Sequence, residues 1–375
     1  MPLPLAAVFA DLPDPRRETR NKRHALTDIL TLATCAVISG AESWDDIHAY
    51  AACKQEFFRR FLPLANGIPS ADTFERVFAK LAPDRFAAAF GRWMTAACEA
   101  TGLIAIGVDG KSLRGATADT ATGCLHLVSA WATAHRLTLG QVAVPDGSNE
   151  VAAIPELLRV LELSGAIVSI DAAGCQIENA AIIRNAGGHY LLAVKDNQPT
   201  LRAVVEGLFA DALAVEFGGV DHDTHVSEAT GHGRAEERCV TVLYHPTGLP
   251  DDWRDVDCVV RVLRERVADG VRTSSTHYYV TSHAGTAEEM GGYVRGHWGI
   301  EAMHWVPDVV YREDDSRVRA GHAGANLAML RKVAIALTRR APGKESGKTK
   351  RNKAGWDDGF LLQVLHGIPP LKAKT

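Results

Sequence analysis

The sequence has no apolar run long enough to span a membrane, which excludes a helical membrane protein. A membrane helix needs roughly 20 mostly apolar residues, whereas the apolar segment 26–38 is shorter and carries Asp28 and several threonines. The N-terminus also lacks a basic segment followed by an apolar run, so a secreted protein is not expected. We therefore expect a cytoplasmic protein with no membrane partner.

Paired cysteines and an overall positive charge are also missing. The seven cysteines are scattered and form no Cys-x-x-Cys motif, which favours reduced core thiols over a disulfide framework or a structural zinc site. The net charge is −4, although duplex binding usually depends on Lys and Arg that neutralise phosphates. Basic residues nevertheless concentrate in the segments 16–23 and 331–353. These basic ends are either nucleic-acid contacts or solvated tails.

The spacing of apolar residues along the chain changes near position 100. Before it, apolar residues recur at helical spacing between prolines, which predicts an all-α first unit. After it, predicted helices at 151–163, 177–185 and 200–214 alternate with β-prone apolar runs. These runs are 103–108, 125–134, 137–144, 166–170 and 190–194. The order predicts an α/β fold, with a mixed sheet covered by helices on both faces.

The pattern changes again in the last part of the chain. Residues 216–283 return to β character, and we interpret them as an inserted β subdomain. A long helix is expected from about 286 to 310, with Pro307 as a kink or terminus. The segment 341–355 has low hydrophobicity and is expected to be mobile, and a short apolar helix is expected at 360–365.

Two aspartates stand at matched positions. Asp109 follows the apolar run Leu103–Val108, and Asp171 follows Ala166–Ile170. A carboxylate that closes a buried strand is costly unless it is paired or binds a metal. Ligands in open α/β sheets collect at the carboxyl ends of strands. If these two strands are neighbours, their carboxylates converge on one site.

A third acid, Glu301, lies on the predicted late helix. His297, Glu301 and His304 share one helix face by their spacing. They could bind a transition metal directly, although the His-Glu-x-x-His motif is absent. Alternatively, Glu301 faces the two aspartates while the histidines contact phosphate or pack.

Several sequence blocks resemble the H-repeat-associated group of bacterial insertion-sequence transposases, and the likeness covers nearly the whole chain. The blocks are LPDPR (12–16), DTFERVF (72–78), DGKSLRG (109–115), SNE (148–150), IDAAGCQ (170–176), KDNQPT (195–200), GHGR (231–234) and HWGIE (297–301). The wider superfamily has Tyr, Arg and Lys around its glutamate, where this chain has Val294, His297 and Asp308. The sequence therefore does not predict which residues would bind the phosphate or whether the reaction forms a DNA hairpin.

The resemblance implies three segments and a catalytic triad. Residues 1–100 would be a helical transposase-associated domain, and 101–340 a ribonuclease-H-like DDE catalytic domain, interrupted by the β insertion at about 216–283 before its last catalytic helix. Residues 341–375 would be a basic C-terminal tail with a short helix. Asp109, Asp171 and Glu301 would be both the catalytic residues and the metal ligands.

The same resemblance implies the cofactor and the partners. Carboxylates suit Mg²⁺ or Mn²⁺, and two ions would serve phosphodiester hydrolysis and strand transfer. The partners would be terminal inverted repeats and target DNA, bound at the nucleoid by a homodimer. The candidate DNA or phosphate contacts are Lys111, Arg114, Lys195, Asn197, His232, Arg234, Arg295 and His297.

Several of these predicted contacts also have a purely structural interpretation, and the predicted function has alternatives as well. The lysines can be solvated, Asn197 and Gln198 can cap the following helix, and Glu150 can simply begin one. His232 and Arg234 can belong to a plain turn. The alternatives to a transposase are an inactive or domesticated DNA-binding derivative and a ribonuclease-H-like nuclease without strand transfer.

Overall fold

The computed structural model describes residues 4–19, 22–98, 104–113, 124–145, 147–231, 234–253 and 255–366. Helices precede the first strand: α1 (Pro4–Phe9), α2 (Leu26–Ile38), α3 (Trp44–Cys53), α4 (Gln55–Phe58), α5 (Ala71–Lys80) and α6 (Pro83–Cys98). The predicted helical character of this region is confirmed. Within the described residues, no helix has the length and apolar character needed to cross a membrane.

Strands and helices then alternate much as the sequence predicts. The elements are β1 (Ile104–Leu113), β2 (Leu125–Ala132), β3 (Leu137–Ala143), α7 (Glu150–Val160), β4 (Ala166–Ile170), α8 (Ile177–Asn185), β5 (His189–Val194) and α9 (Pro199–Ala214). Four long strands follow: β6 (His222–Gly231), β7 (Arg234–Tyr244), β8 (Cys258–Ala268) and β9 (Val271–Thr281). The chain is thus a mixed α/β protein with a large sheet and flanking helices, as predicted.

The last part of the chain is helical. It contains α10 (Ala287–Tyr311), α11 (Ala323–Arg340), α12 (Gly347–Trp356) and α13 (Asp358–His366). The predicted long helix is confirmed as α10, which contains Pro307 within its length. The chain forms two compact units, the first from residues 1–101, 110–161 and 301–375 and the second from 102–109 and 162–300. The domain boundaries predicted at residues 100 and 340 stay predictions.

Helix α11 lies in the core of the first unit. Nearly all of its residues are buried, and it packs against α2 and α5. The Asn326 amide donates to the carbonyls of Phe78 and Leu81 at 2.8 and 2.9 Å, which ties α11 to the end of α5. Strands β2 and β3 pair antiparallel in the same unit. This unit therefore gathers segments from both ends of the chain.

The expectation of a mobile segment at 341–355 is wrong. Residues 347–356 form α12, in which Lys350 and Arg351 are each 5% exposed. The Arg351 guanidinium donates to the carbonyl of Val310 at 2.5 Å and lies 4.2 Å from the Tyr311 ring centroid. Low hydrophobicity misleads here because these cations are buried against backbone carbonyls and an aromatic ring. They are not part of a solvated basic tail.

The second unit is built on a mixed sheet. Its strands run in the order β1-β4-β5-β9-β8-β7-β6, and β1, β4 and β5 are parallel. The segment expected to be an inserted β subdomain is a meander of antiparallel strands, β6 to β9, that continues this sheet through the pairing of β9 with β5. Its β character is confirmed, but it is an extension of the sheet.

Candidate active site

Asp171 directly follows strand β4, whereas Asp109 lies within β1, which continues to Leu113, so the expectation that Asp109 ends its strand is wrong. Strand β1 pairs parallel with β4, and the last matched residues are Val108 and Ile170, so each aspartate follows directly in register. Adjacent strands are about 4.8 Å apart. Strand alternation also directs both side chains to the same face of the sheet, because Val108 and Ile170 occupy the opposite face. The strand that contains Asp109 and the strand that Asp171 follows are therefore neighbours in the sheet, as assumed from the sequence.

The loop after β4 holds Asp171 in place. Its Oδ1 accepts from the Gly174 amide at 3.4 Å, at the start of a short 3₁₀ turn. The Asn197 amide donates to the Ala172 carbonyl at 2.6 Å, and the Gln198 amide donates to the Cys175 carbonyl at 2.9 Å. These bonds brace the Asp171 loop from the loop after β5. Gln198 precedes α9 but makes no side-chain cap bond to it.

Two titratable neighbours of Asp171 are kept in their neutral forms. Burial, assisted by the charge of Asp171, raises the pKa of the Cys175 thiol to about 12. Burial also lowers the pKa of His297, although Asp171 and Ser169 act in the opposite direction. The negative charge of Asp171 therefore has no protonated histidine beside it near neutral pH. It is available to a cation.

His297 anchors α10 to the two strands that precede the aspartates. Its Nδ1 lies 3.1 Å from the Ser169 hydroxyl of β4, and that hydroxyl donates to the Ile106 carbonyl of β1 at 3.3 Å. Gly107 makes the close approach possible, because a Cβ there would lie 2.3 Å from Cδ1 of Ile300. His297 is thus a packing residue of the second unit, and phosphate contact by it stays a prediction.

Glu301 follows Ile300 on the continuous helix α10. Its backbone is helical, while its side chain and that of His304 lie outside the described residues. The convergence of Glu301 with the two aspartates therefore stays a prediction, and so does the rival metal site of His297, Glu301 and His304.

Lys111 lies in a buried ionic cluster of the first unit. Its amine donates to Asp308 at 2.5 Å and to Glu313 at 2.8 Å, and its side chain is only 11% exposed. Burial opposes its charge, but Glu313 and Asp308 outweigh burial and raise the pKa of Lys111 above its ordinary value. Two carboxylates therefore form ion pairs with the Lys111 amine, and contact of Lys111 with a DNA phosphate stays a prediction.

A hydrogen-bonded chain of Ser112, His126 and Glu150 starts near the end of β1. The Ser112 hydroxyl is 2.7 Å from Nδ1 of His126, and Nε2 of His126 is 2.5 Å from Oε1 of Glu150. A Cβ on Gly110 would lie 2.0 Å from the same glutamate oxygen, so a larger residue here would displace the Glu150 carboxylate from His126. Sequence reasoning missed His126, because nothing marks one histidine within a β-prone run as the partner of a distant acid.

Of the remaining predicted DNA contacts, some are exposed in the structure and others lie outside the described residues. Lys195 and Arg295 are exposed, at the end of β5 and on α10 respectively. Arg114 and His232 lie outside the described residues, and so does the side chain of Arg234, which begins β7. DNA contact by each of these residues therefore stays a prediction.

The side chains of Asp109 and Asp171 suit a hard cation. Asp109 and Asp171 supply carboxylate oxygens, the ligands that Mg²⁺ and Mn²⁺ prefer. Lys111 follows closely in the sequence, but Asp308 and Glu313 match its charge, so it does not oppose a bound ion. Among the side chains that the structure describes, which leave out those of Glu301 and His304, no three His, Cys, Asp or Glu are already arranged to hold a metal. Two aspartates therefore fit the ion but need a further ligand.

Comparison with known proteins identifies relatives along nearly the whole chain. The family model described as DDE_Tnp_1-associated matches residues 6–94, and the model described as Transposase DDE domain matches residues 100–338. The "H repeat-associated putative transposase YhhI" of Escherichia coli K12 is 36% identical over 94% of this chain and 95% of its own length. The "Putative transposase YncI" of Escherichia coli O157:H7 is 34% identical over 97% and 95%.

A solved structure was also matched. A piggyBac transposase in a synaptic complex with hairpin DNA superposes with a TM-score of 0.36 and 10% identity, over 100% of this chain and 82% of that one. A similarity this low supports no conclusion about this chain. The family resemblance predicted from the sequence blocks is confirmed by the sequence relatives alone.

Proposed function

Because the chain belongs to the family of transposases with a DDE domain, we propose that it is a metal-dependent DNA transposase of an insertion sequence. Asp109, Asp171 and Glu301 are its catalytic acids, and its reactions are hydrolysis at the element ends and strand transfer into target DNA. One observation carries the proposal above all. Asp109 and Asp171 directly follow the last paired residues, Val108 and Ile170, of the adjacent parallel strands β1 and β4.

The strand order supports a ribonuclease-H-like catalytic domain as the finer description of the fold. An antiparallel pair, β2 and β3, precedes a helix. Of the parallel strands, β1 contains Asp109 directly after its last residue paired with β4, and Asp171 and Lys195 follow β4 and β5. The meander β6 to β9 then separates β5 from α10, which bears Glu301. The interruption therefore falls before the helix that would complete the triad.

The three acids would hold two Mg²⁺ or Mn²⁺ ions. When bound, such a pair stabilises both the attacking and the leaving oxygen of an in-line displacement at phosphorus. Asp109 and Asp171 are fixed for this role by their strands, and the Asp171 loop is braced by Asn197 and Gln198. Lys195 follows the next parallel strand and is exposed, so it can contact a phosphate of the bound DNA.

The partners follow from the reaction. The protein binds terminal inverted repeats and target DNA, acts at the nucleoid in the cytoplasm, and pairs two DNA ends as a homodimer. Arg114, His232, Arg234 and Arg295 are the further DNA contacts that we propose.

The proposal is tested by incubating the purified protein with its element's terminal repeats and a target plasmid. We expect joined products with Mg²⁺ or Mn²⁺, and binding without turnover with Ca²⁺, whose looser and higher coordination does not fit the reactive geometry. Cleavage without joining would favour a nuclease, and binding alone would favour a DNA-binding derivative. Activity restored only by Zn²⁺ would favour the site of His297, Glu301 and His304.

A further inference from the structure

Two arginines of the meander lie against Trp298 of α10. Arg238 on β7 is opposite Arg264 on β8, and their guanidiniums lie 5.9 and 5.4 Å from the Trp298 ring centroid. His277 on β9 meets the same ring edge-on at 5.4 Å. We call these four residues the Trp298 cluster. It lies wholly within the second unit, on the sheet face that α10 covers.

The arginines of the Trp298 cluster have hydrogen-bond donors in excess of their acceptors. Glu236 forms an ion pair with Arg238 and accepts a hydrogen bond from Arg264 at 2.7 Å. Nε of both arginines and Nη1 of Arg238 are nevertheless buried without a hydrogen-bond partner. Buried donors without an acceptor are unfavourable. Because the side chains are still 16% and 32% exposed, an anion can reach the guanidiniums.

The two faces of the meander differ in charge. Strand register places Arg238, Arg264 and Arg266 with Glu236 and Asp223 on the face of the Trp298 cluster. The opposite face carries Glu228, Glu237 and Glu265 with Arg261 and Arg272. Arg272 is paired with Glu265 at 3.5 Å. The first face therefore has an excess of cations and the second an excess of acids, so a polyanion is directed to the first.

The cationic face is continuous with the carboxyl end of β4, which Asp171 follows. Val194 of β5 pairs with Tyr278 of β9, so Lys195 emerges beside His277, and by alternation it shares the face of Asp171. From β4 across β5, β9 and β8 to β7 the sheet extends by roughly 19 Å, at about 4.8 Å per strand. This length matches about six nucleotides of one strand, at about 3.4 Å per nucleotide along a duplex.

We propose that Lys195, Arg264 and Arg238 bind the phosphate backbone of the DNA strand that is cut at the aspartates, and that Trp298 positions the two guanidiniums. The inference rests on the proposed function and deepens it. In this proposal the cationic face of the β meander is a track, that is, a surface along which one DNA strand binds. Arg238, Arg264 and Trp298 then belong to the residues that position the substrate.

The test measures DNA affinity directly and without cleavage. Full-length protein carrying Arg238→Gln and Arg264→Gln, or Lys195→Gln alone, is titrated in Ca²⁺ against a labelled duplex that bears the terminal repeat. For each lost phosphate contact we expect affinity to fall about tenfold, and the slope of log affinity against log salt to flatten by about 0.9. Arg272→Gln removes an arginine of the same meander from the opposite face and should change neither quantity.

Further variants keep the test decisive. Arg264→Lys keeps the charge and should keep the salt slope. If the double variant unfolds, Lys195→Gln still tests the track, because Lys195 is exposed. If the wild-type protein binds with a steep salt dependence while Lys195→Gln and the arginine variants behave like Arg272→Gln, the inference is overturned and the proposed function stands. If the wild-type protein shows no salt-dependent binding, the proposed function fails with it.

Discussion

His297 links the packing of α10 to the pH dependence of stability. Burial lowers the pKa of His297 below its ordinary value of 6.5, and Asp171 only partly offsets this. As the pH falls through 6.5, the unfolded chain therefore takes up a proton before the folded chain does. The free energy of unfolding must then decrease with decreasing pH.

The variant His297→Gln removes this titration while keeping a polar side chain next to Ser169. Between pH 7 and 5, we expect the wild-type protein to lose stability more steeply than the variant, by no more than about 1.4 kcal/mol per pH unit. Urea denaturation at several pH values measures the difference. Parallel pH profiles for the two proteins would show that His297 titrates alike in the folded and unfolded states.

At the scale of elements, the sequence predicts best those segments whose pattern reflects burial alone. The bounds of β4 and α8 were predicted to the residue, because an apolar strand and an amphipathic helix lie between clear turns. Strand β6 was missed because it is an edge strand whose residues are largely exposed. Helix α11 was missed because it buries polar residues such as Asn326 and Arg331, whose partners lie far away in the sequence.

The same distinction applies to the candidate site, where some residues could be predicted from a local pattern and others could not. Asp109 and Asp171 were found because a charge directly after a buried apolar strand is conspicuous in the sequence. The bonds of His297 to Ser169 and of His126 to Glu150 join different elements, so no local pattern could indicate them. The sequence also could not show that Lys111 is matched by Asp308 and Glu313.

Helix α11 carries a second titratable group that the core perturbs. The Lys332 amine donates to Ser129 at 2.6 Å and to Gln141 at 2.8 Å, which joins the helix to β2 and β3. Burial lowers the pKa of Lys332 to about 8, against the opposing charge of Glu313. Between about pH 8 and 10.5, the unfolded chain therefore holds a proton that the folded chain has lost, and stability should rise with pH.

The variant Lys332→Met should remove this rise. Denaturant titrations between pH 8 and 10 are expected to give a flatter profile for Lys332→Met than for the wild-type protein. The matched control is Lys348→Met, because Lys348 is exposed on α12. A wild-type profile that is already flat, or one that Lys332→Met leaves unchanged, would contradict the account.

At the scale of the whole molecule, the C-terminal helices stabilise the first unit. Arg351 donates to the carbonyls of Val37 at 3.4 Å and Val310 at 2.5 Å, so α12 closes over residues from both ends of the chain. We expect Arg351→Gln to lower the free energy of unfolding by about 1–3 kcal/mol, because it leaves buried carbonyls unpaired. Lys348→Gln should change it by less than about 0.5 kcal/mol.

Equilibrium urea denaturation of both variants measures this difference, and equal stabilities would contradict the buried role of Arg351. Removal of residues 341–375 is accordingly expected to destabilise the protein as well as to remove charge. A loss of DNA binding in that truncation would not by itself identify the C-terminal residues as DNA contacts.

The account's central claim is that Asp109 and Asp171 hold the metal ions of a DNA-cleaving site. The most direct measurement is Mg²⁺-dependent cleavage of terminal-repeat DNA by Asp109→Asn and by Asp171→Asn, with DNA affinity measured in parallel. The amides keep the shape of the carboxylates but lose the charge that binds the ions. We predict that both variants lose cleavage while DNA affinity stays within a few-fold of wild type, and wild-type cleavage rates in either variant would remove that aspartate from the site.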